Sequence, residues 1–204
     1  TFWAWRFLVR EQGLIWISQR GYITRMLKAF NMESCKSVSI PLAKGDNKNL
    51  QAPESDKIIN SDEFPYRSLI GSLMYLMVMS RPDIAYAVGL LSRFVEKPSQ
   101  AHWQAGKRVL RYLHVTEDLA LCFGLEKNSK LEACADAAWT DDESDSKSTM
   151  GYACLLRGTA VSWTSKKQEL VALSTAEAEY VAACHATKEV IWLRDLLTDL
   201  NETG

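Results

Sequence analysis

Apolar positions along this chain first alternate, then recur at intervals of three and four, then alternate again. Phe7-Leu8-Val9 and Leu14-Ile15-Trp16-Ile17-Ser18 flank Gly13, a pattern that predicts a β-hairpin. Ser18 is placed to cap a helix in which Tyr22, Ile23, Met26, Leu27 and Phe30 keep helical spacing. Residues 33–61 are polar, contain Pro41 and Pro53, and read as an extended linker. Three helices are expected next. One covers Tyr66–Leu76 and ends near Arg81-Pro82, because the residue before a proline disfavours helix. The second starts at Asp83 and is stopped by Pro98. The third, QAHWQAGKRVLRYLH, turns Trp103, Val109, Leu110 and Leu113 inward. From Ala120 the period changes to two, in ALCFGL, LEACADAAW, STMGYACLL and AVSWTS. Gly158 marks a tight connection between the last two, as in an antiparallel hairpin. Ser174 then opens a helix to about Leu200, with the stripe Ala178, Ala182, Ala186, Val190, Leu193, Leu197, Leu200. Its alanines allow close approach to a sheet.

Composition adds little until the charges are divided along the chain. With 204 residues, 47% of them hydrophobic, the chain can bury a core in one domain or two small ones. Charged residues amount to 24%, an ordinary globular share, which argues against wholesale disorder. The net charge of -1 conceals an asymmetry. Residues 1–130 hold 18 Lys and Arg against 12 Asp and Glu, and residues 131–204 hold 6 against 13. A basic front suggests an anionic partner, and an acidic back suggests a metal, unless the split is chance variation of surface charge. Five scattered cysteines form no CxxC pair and no zinc spacing, so they read as reduced thiols of an intracellular, non-secreted protein. The apolar run 68–79 is too short to span a bilayer, so no membrane partner is expected.

Two carboxylates carry candidate chemistry. Asp136 interrupts the apolar strand CADAAW, on the face of Cys134 and Ala138. A charge buried there would be costly unless a cation neutralised it; the alternative is a strand-end aspartate facing water. Glu177 completes Ser174-Thr175-Ala176-Glu177, which also fits a capping box in which the glutamate reaches back to a free amide. Taken together, a strand Asp and a first-turn helix Glu can share one divalent ion when the helix packs on the sheet. Hard cations such as Mg²⁺ take oxygen ligands, and two ions about 4 Å apart can drive phosphodiester hydrolysis.

At these residues a family becomes visible. The stretch ADAAWTDDESDSKSTMGYACLL…AVSWTSKKQELVALSTAEAEYVAA resembles the first half of the ribonuclease H domain in copia-type LTR-retrotransposon Pol polyproteins. The upstream YRSLIGSLMYLMVMSRPDIAYAVGLLSRFVEKPSQAHWQAGKRVLRYL is similar to the connection before that domain, and LIWISQRGYITRMLKAFNMESCKSVSIPL to the end of the reverse transcriptase region. The resemblance implies an α/β chain in three parts. Residues 1–60 would be a reverse transcriptase tail and linker, 61–118 a helical connection, and 119–204 a partial ribonuclease H-like domain. That domain would be a mixed sheet whose first three strands are antiparallel, with the long helix packed on it. The resemblance makes Asp136 the first-strand ligand and Glu177 the first-helix ligand for Mg²⁺ or Mn²⁺, two ions in the intact parent, acting on the RNA strand of RNA–DNA hybrids. Family members usually carry a second Asp where this chain has Ala138. No YxDD polymerase motif occurs, and the family's next strand, with a third carboxylate, is not reached by Gly204. The expectation is therefore weak or absent metal binding and no cleavage by these residues alone, and an unpaired edge on the first strand. Their partner would be the remainder of the polyprotein.

Lys107, Arg108 and Arg111 beside Trp103 and Tyr112 form a basic helical stretch suited to phosphate contacts, though three such charges also suit a solvated face. Lys166 and Lys167 are a weaker second pair at the sheet's edge. His185 reads as a neutral packed histidine, and the acidic run 141–145 as a solvated turn lacking the glycine of a calcium loop. The rival reading is a non-enzymatic nucleic-acid-binding or interaction remnant of such an element.

Overall fold

The structure, a computed structural model, describes residues 6–9, 14–43, 45–51, 59–60, 63–124, 130–139 and 145–200. They divide into two compact units. One is built from the described residues of Thr1–Phe7 and Ile17–Ala120, the other from those of Leu8–Trp16 and Leu121–Gly204. Strands β1 (Arg6–Val9), β2 (Ile15–Ser18) and β3 (Leu121–Phe123) form a small sheet in that order. The predicted hairpin strands are present; its turn lies outside the described residues.

The helical unit holds α1 (Arg20–Ala29), α2 (Asp46–Gln51), α3 (Tyr66–Met79), a 3₁₀ turn Pro82–Ile84, α4 (Ala85–Ser92) and α5 (Gln100–Val115). Its core is the set of residues the spacing marks: Ile23, Met26 and Leu27 from α1, Leu69, Ile70, Leu73 and Leu76 from α3, and Val109, Leu110 and Leu113 from α5. Three expectations are corrected. Gln19, not Ser18, is the N-cap of α1. Residues 33–61 are not a bare linker: α2 forms within them, and its Leu50 is buried in the core with Met32, because one leucine on a short amphipathic turn gains more by burial than by solvation. The helix after Asp83 ends at Ser92 rather than running to Pro98, and Phe94 and Val95 leave it to pack against the core.

His102 fastens α2 and α5 together. It is the N3 residue of α5, where its Nδ1 accepts the Ser99 N–H at 2.9 Å, and its Nε2–H donates to the carbonyl of Leu50 at 2.9 Å. This arrangement defines the tautomer. The ring is 1% exposed and stacks on Phe94 at 4.0 Å. His102→Ala is expected to cost about 2–4 kcal/mol, since it removes a cap, opens a cavity and leaves a buried carbonyl unsatisfied. Urea unfolding of variant and parent checks this.

The sheet unit carries β4 (Leu131–Ala138), β5 (Thr149–Leu156) and β6 (Thr159–Lys167), antiparallel and in chain order, then α6 (Thr175–Asp199). The β5–β6 turn is Arg157-Gly158, both at positive φ (53° and 76°), the twist a two-residue hairpin needs. The hydroxyl of Thr159 donates to the carbonyl of Cys122, tying β3 to this unit. Helix α6 rests on the sheet through Ala178, Ala182, Ala186 and Leu193. Leu200, expected on that stripe, is instead exposed. Among the described strands β4 has a neighbour only in β5, so its other edge is free. The fold is thus mixed α/β with antiparallel sheets and a long helix at the end of the described chain.

Candidate functional site

Asp136 pairs with Gly151 across the β4–β5 ladder. Directly opposed residues of an antiparallel pair share a face, so Asp136 shares one with Gly151 and, through β6, with Ser165 and Lys167's parity. Helix α6 covers the other face: the Ser162 hydroxyl donates to the Glu189 carboxylate at 2.6 Å, and Ser162 pairs with Cys154, which is fully buried. Ala133, Ala135 and Ala137 belong to that helix-covered face. Asp136 is exposed, and its Oδ1 accepts the N–H of Ala137 at 2.9 Å. Of the two readings of Asp136, the aspartate facing water is the one the structure shows, and the carboxylate buried in the strand is corrected. Residues 132–136 are all exposed, because β4 is an edge of the described sheet and its small side chains screen little. Gly151 opposite adds no side chain over the carboxylate.

Glu177 occupies N3 of α6. Its N–H donates to the Ser174 hydroxyl at 3.2 Å, and its carboxylate accepts the N–H of Leu173 at 2.7 Å. The cap is real, shifted by one residue from the usual box: the amide before the N-cap is the one satisfied. One contact draws the two acids to a common end of the unit. The Trp139 indole N–H donates to the carbonyl of Ala172 at 3.0 Å, joining the end of β4 to the segment that leads into α6. Because Asp136 and α6 occupy different faces, a cation shared by the two carboxylates would sit at the rim of the sheet, not between helix and sheet. Among the described residues no three His, Cys, Asp or Glu side chains converge as a metal site. Two carboxylates fit a hard divalent cation as part of its oxygen set, and not as a whole one.

The basic residues separate by unit. Lys107, Arg108 and Arg111 belong to α5 and are half-buried. The Lys107 ammonium lies 5.8 Å from the centre of the Trp103 ring, and Arg111 Nε donates to the carbonyl of Lys36 at 2.6 Å. Arg108 Nε is buried with no hydrogen-bond partner among the described residues. Lys166 and Lys167 belong to the sheet unit, where Lys166 is exposed and Lys167 pairs with Asp145 at 2.7 Å. Burial, with the charges of Lys166 and Lys188, holds His185 below the ordinary imidazole value, which keeps it neutral at pH 7. Sequence reasoning passed over Glu189. Burial raises the Cys154 thiol and the Tyr152 phenol, and the Glu189 charge adds to both shifts. No spacing along the sequence marks it.

No family model and no solved structure matches the chain. Curated relatives do. The sequence match to these relatives defines a class: the chain belongs to the retrovirus-related Pol polyproteins of copia-type transposons. The polyprotein of the tobacco transposon TNT 1-94 is 47% identical over 198 residues, 95% of this chain and 15% of that protein. The polyprotein of transposon RE1 from Arabidopsis thaliana is 40% identical over 90% of this chain and 12% of that protein. The secreted RxLR effector protein 161 of Plasmopara viticola is 51% identical over 129 residues, 63% of this chain and 91% of the effector. The chain thus spans a small part of the polyproteins it matches. Among the described residues no helix is long and apolar enough to cross a membrane.

Proposed function

We propose that the chain is the segment of a Pol polyprotein running from the end of the reverse transcriptase region, through a helical connection, into a ribonuclease H-like domain. The parent would hydrolyse the RNA strand of RNA–DNA hybrids. What supports the reading is a chain that matches Pol polyproteins over nearly its whole length, with the Trp139–Ala172 hydrogen bond joining the strand that carries Asp136 to the segment before Glu177. Mg²⁺ or Mn²⁺, held by these carboxylates and by further ligands of the parent, would supply an activated water and charge neutralisation at phosphate. The chain's own residues have simpler tasks. Asp136 presents an open carboxylate at the sheet rim, and Glu177 keeps Oε1 for the ion while Oε2 accepts the Leu173 amide. Lys166 beside that end, and the α5 residues Lys107, Arg108 and Arg111, would contact the phosphate backbone.

The test is hybrid cleavage by the full-length polyprotein that carries this segment, with Asp136→Asn as comparison. Loss of cleavage in the variant is expected; equal rates overturn the assignment. The effector relative supports a second reading, because that protein is matched over 91% of its length by this segment. In that reading the chain binds partners without catalysis, and the full-length Asp136→Asn protein retains every measurable property of the parent.

A further inference from the structure

A groove of about 680 Å³ lies between α1 and α3 in the helical unit, lined by Tyr22, Arg25, Met26, Phe30, Ser72 and Tyr75 among others. Its volume is that of a small-molecule site. Tyr22 and Tyr75 stand 5.0 Å apart at its wall, tilted by 57°. The charge on the two helices has one sign. Helix α1 carries Arg20, Arg25 and Lys28, helix α3 carries Arg67, and neither has an Asp or Glu. Arg20 is spent on Glu117 and Asp118. Arg25, Lys28 and Arg67 have no ion pair or hydrogen bond with any described residue.

We infer that this groove binds single-stranded nucleic acid, taking an unstacked base against Tyr22 and Tyr75 with a phosphate on Arg25. The lining is aromatic with a cationic rim, the combination that tracks a single strand without reading its sequence. A duplex does not fit the chemistry, since its base faces are already stacked. The inference rests on reading the chain as part of a nucleic-acid-processing polyprotein, and it adds a site in a unit that holds neither Asp136 nor Glu177.

The experiment is fluorescence anisotropy of labelled single-stranded RNA and DNA oligonucleotides titrated with this chain at several salt concentrations. Tyr75→Leu is expected to weaken binding roughly tenfold, and Arg25→Ala to reduce the log–log salt slope by about one. Tyr22→Leu, which removes the other ring of the wall, is expected to weaken binding by a similar factor and serves where Tyr75→Leu does not fold. Parental affinity in all three variants overturns the groove, and a persisting steep salt slope would then leave the α5 basic face as the contact. Tighter binding of duplex than single strand, or full competition by an acidic peptide, also overturns it. Absence of any salt-dependent binding sinks both this site and the nucleic-acid reading beneath it.

Discussion

Arg81→Met is expected to destabilise the helical unit by about 2–4 kcal/mol at neutral pH, measured by urea unfolding. The Arg81 side chain is 3% exposed and four of the five N–H donors of its guanidinium are used. It donates from Nε and Nη2 to both oxygens of Asp83, at 2.9 and 2.7 Å, and to the carbonyl and hydroxyl of Thr116 at 3.0 and 2.6 Å. The Tyr112 hydroxyl donates to Asp83 at 2.8 Å, and Arg81 lies over the Tyr112 ring. One cation therefore joins the turn after α3 to the end of α5. Asp83 is 28% exposed, so its carboxylate regains some water in the variant, which keeps the loss below that of a fully buried orphan charge.

The same network gives the effect a pH dependence with a definite sign. Burial pushes the Asp83 carboxyl up, but the hydrogen bonds and charge of Arg81, aided by Tyr112, outweigh it and hold the group below the ordinary carboxylate value. A depressed carboxyl contributes stability that is present above its unfolded value and lost as pH falls through its folded value. In Arg81→Met the two lowering contributions of Arg81 are gone, and burial is opposed only by the Tyr112 and backbone hydrogen bonds, so the depression is relieved. The deficit of the variant should thus shrink as pH is lowered below about 4. A deficit independent of pH would show that Arg81 acts by packing alone. Arg81→Met with Asp83→Asn should recover part of the loss, because no charge is then left without its partner.

The second large effect is chemical. In the full-length polyprotein, Asp136→Asn should reduce hybrid cleavage by at least about a hundredfold, the scale expected when an electrostatic ligand at the reacting centre loses its charge. The structure makes this a clean comparison. Asp136 is exposed and its hydrogen bond to Ala137 survives in Asn, so the change in stability should stay within about 0.5 kcal/mol. Glu177 behaves differently. Its carboxylate caps the Leu173 amide, so Glu177→Ala should cost about 1 kcal/mol of stability together with any cleavage, and Glu177→Gln should restore the stability but not the cleavage. If Glu177→Gln restores both, its role is the cap and nothing more.

What the sequence determined alone is local. Period two and period three-to-four located the strands and helices of both units, since alternation and helical repeat follow from backbone geometry. Ser174 and Glu177 announced the start of α6, and the apolar stripes named most of the core. Those signals live within a few residues of each other. The misjudged elements share a different cause. Leu50 is one apolar residue in a polar stretch, and only the presence of His102, 52 residues on, decides that α2 packs instead of straying. Arg81 marks the end of a helix, as the sequence says, but its ion-pair and hydrogen-bond role stayed hidden because its partner Thr116 is 35 residues away. Asp136 looked buried because its neighbours are apolar, but burial belongs to the sheet, and β4 has a described neighbour on one edge only. Likewise no pattern along the chain sets Tyr22 against Tyr75, or shows that Asp136 and α6 take opposite faces. Pairing register, and the packing of distant helices, decide those matters, because they depend on contacts whose two halves the linear order keeps apart.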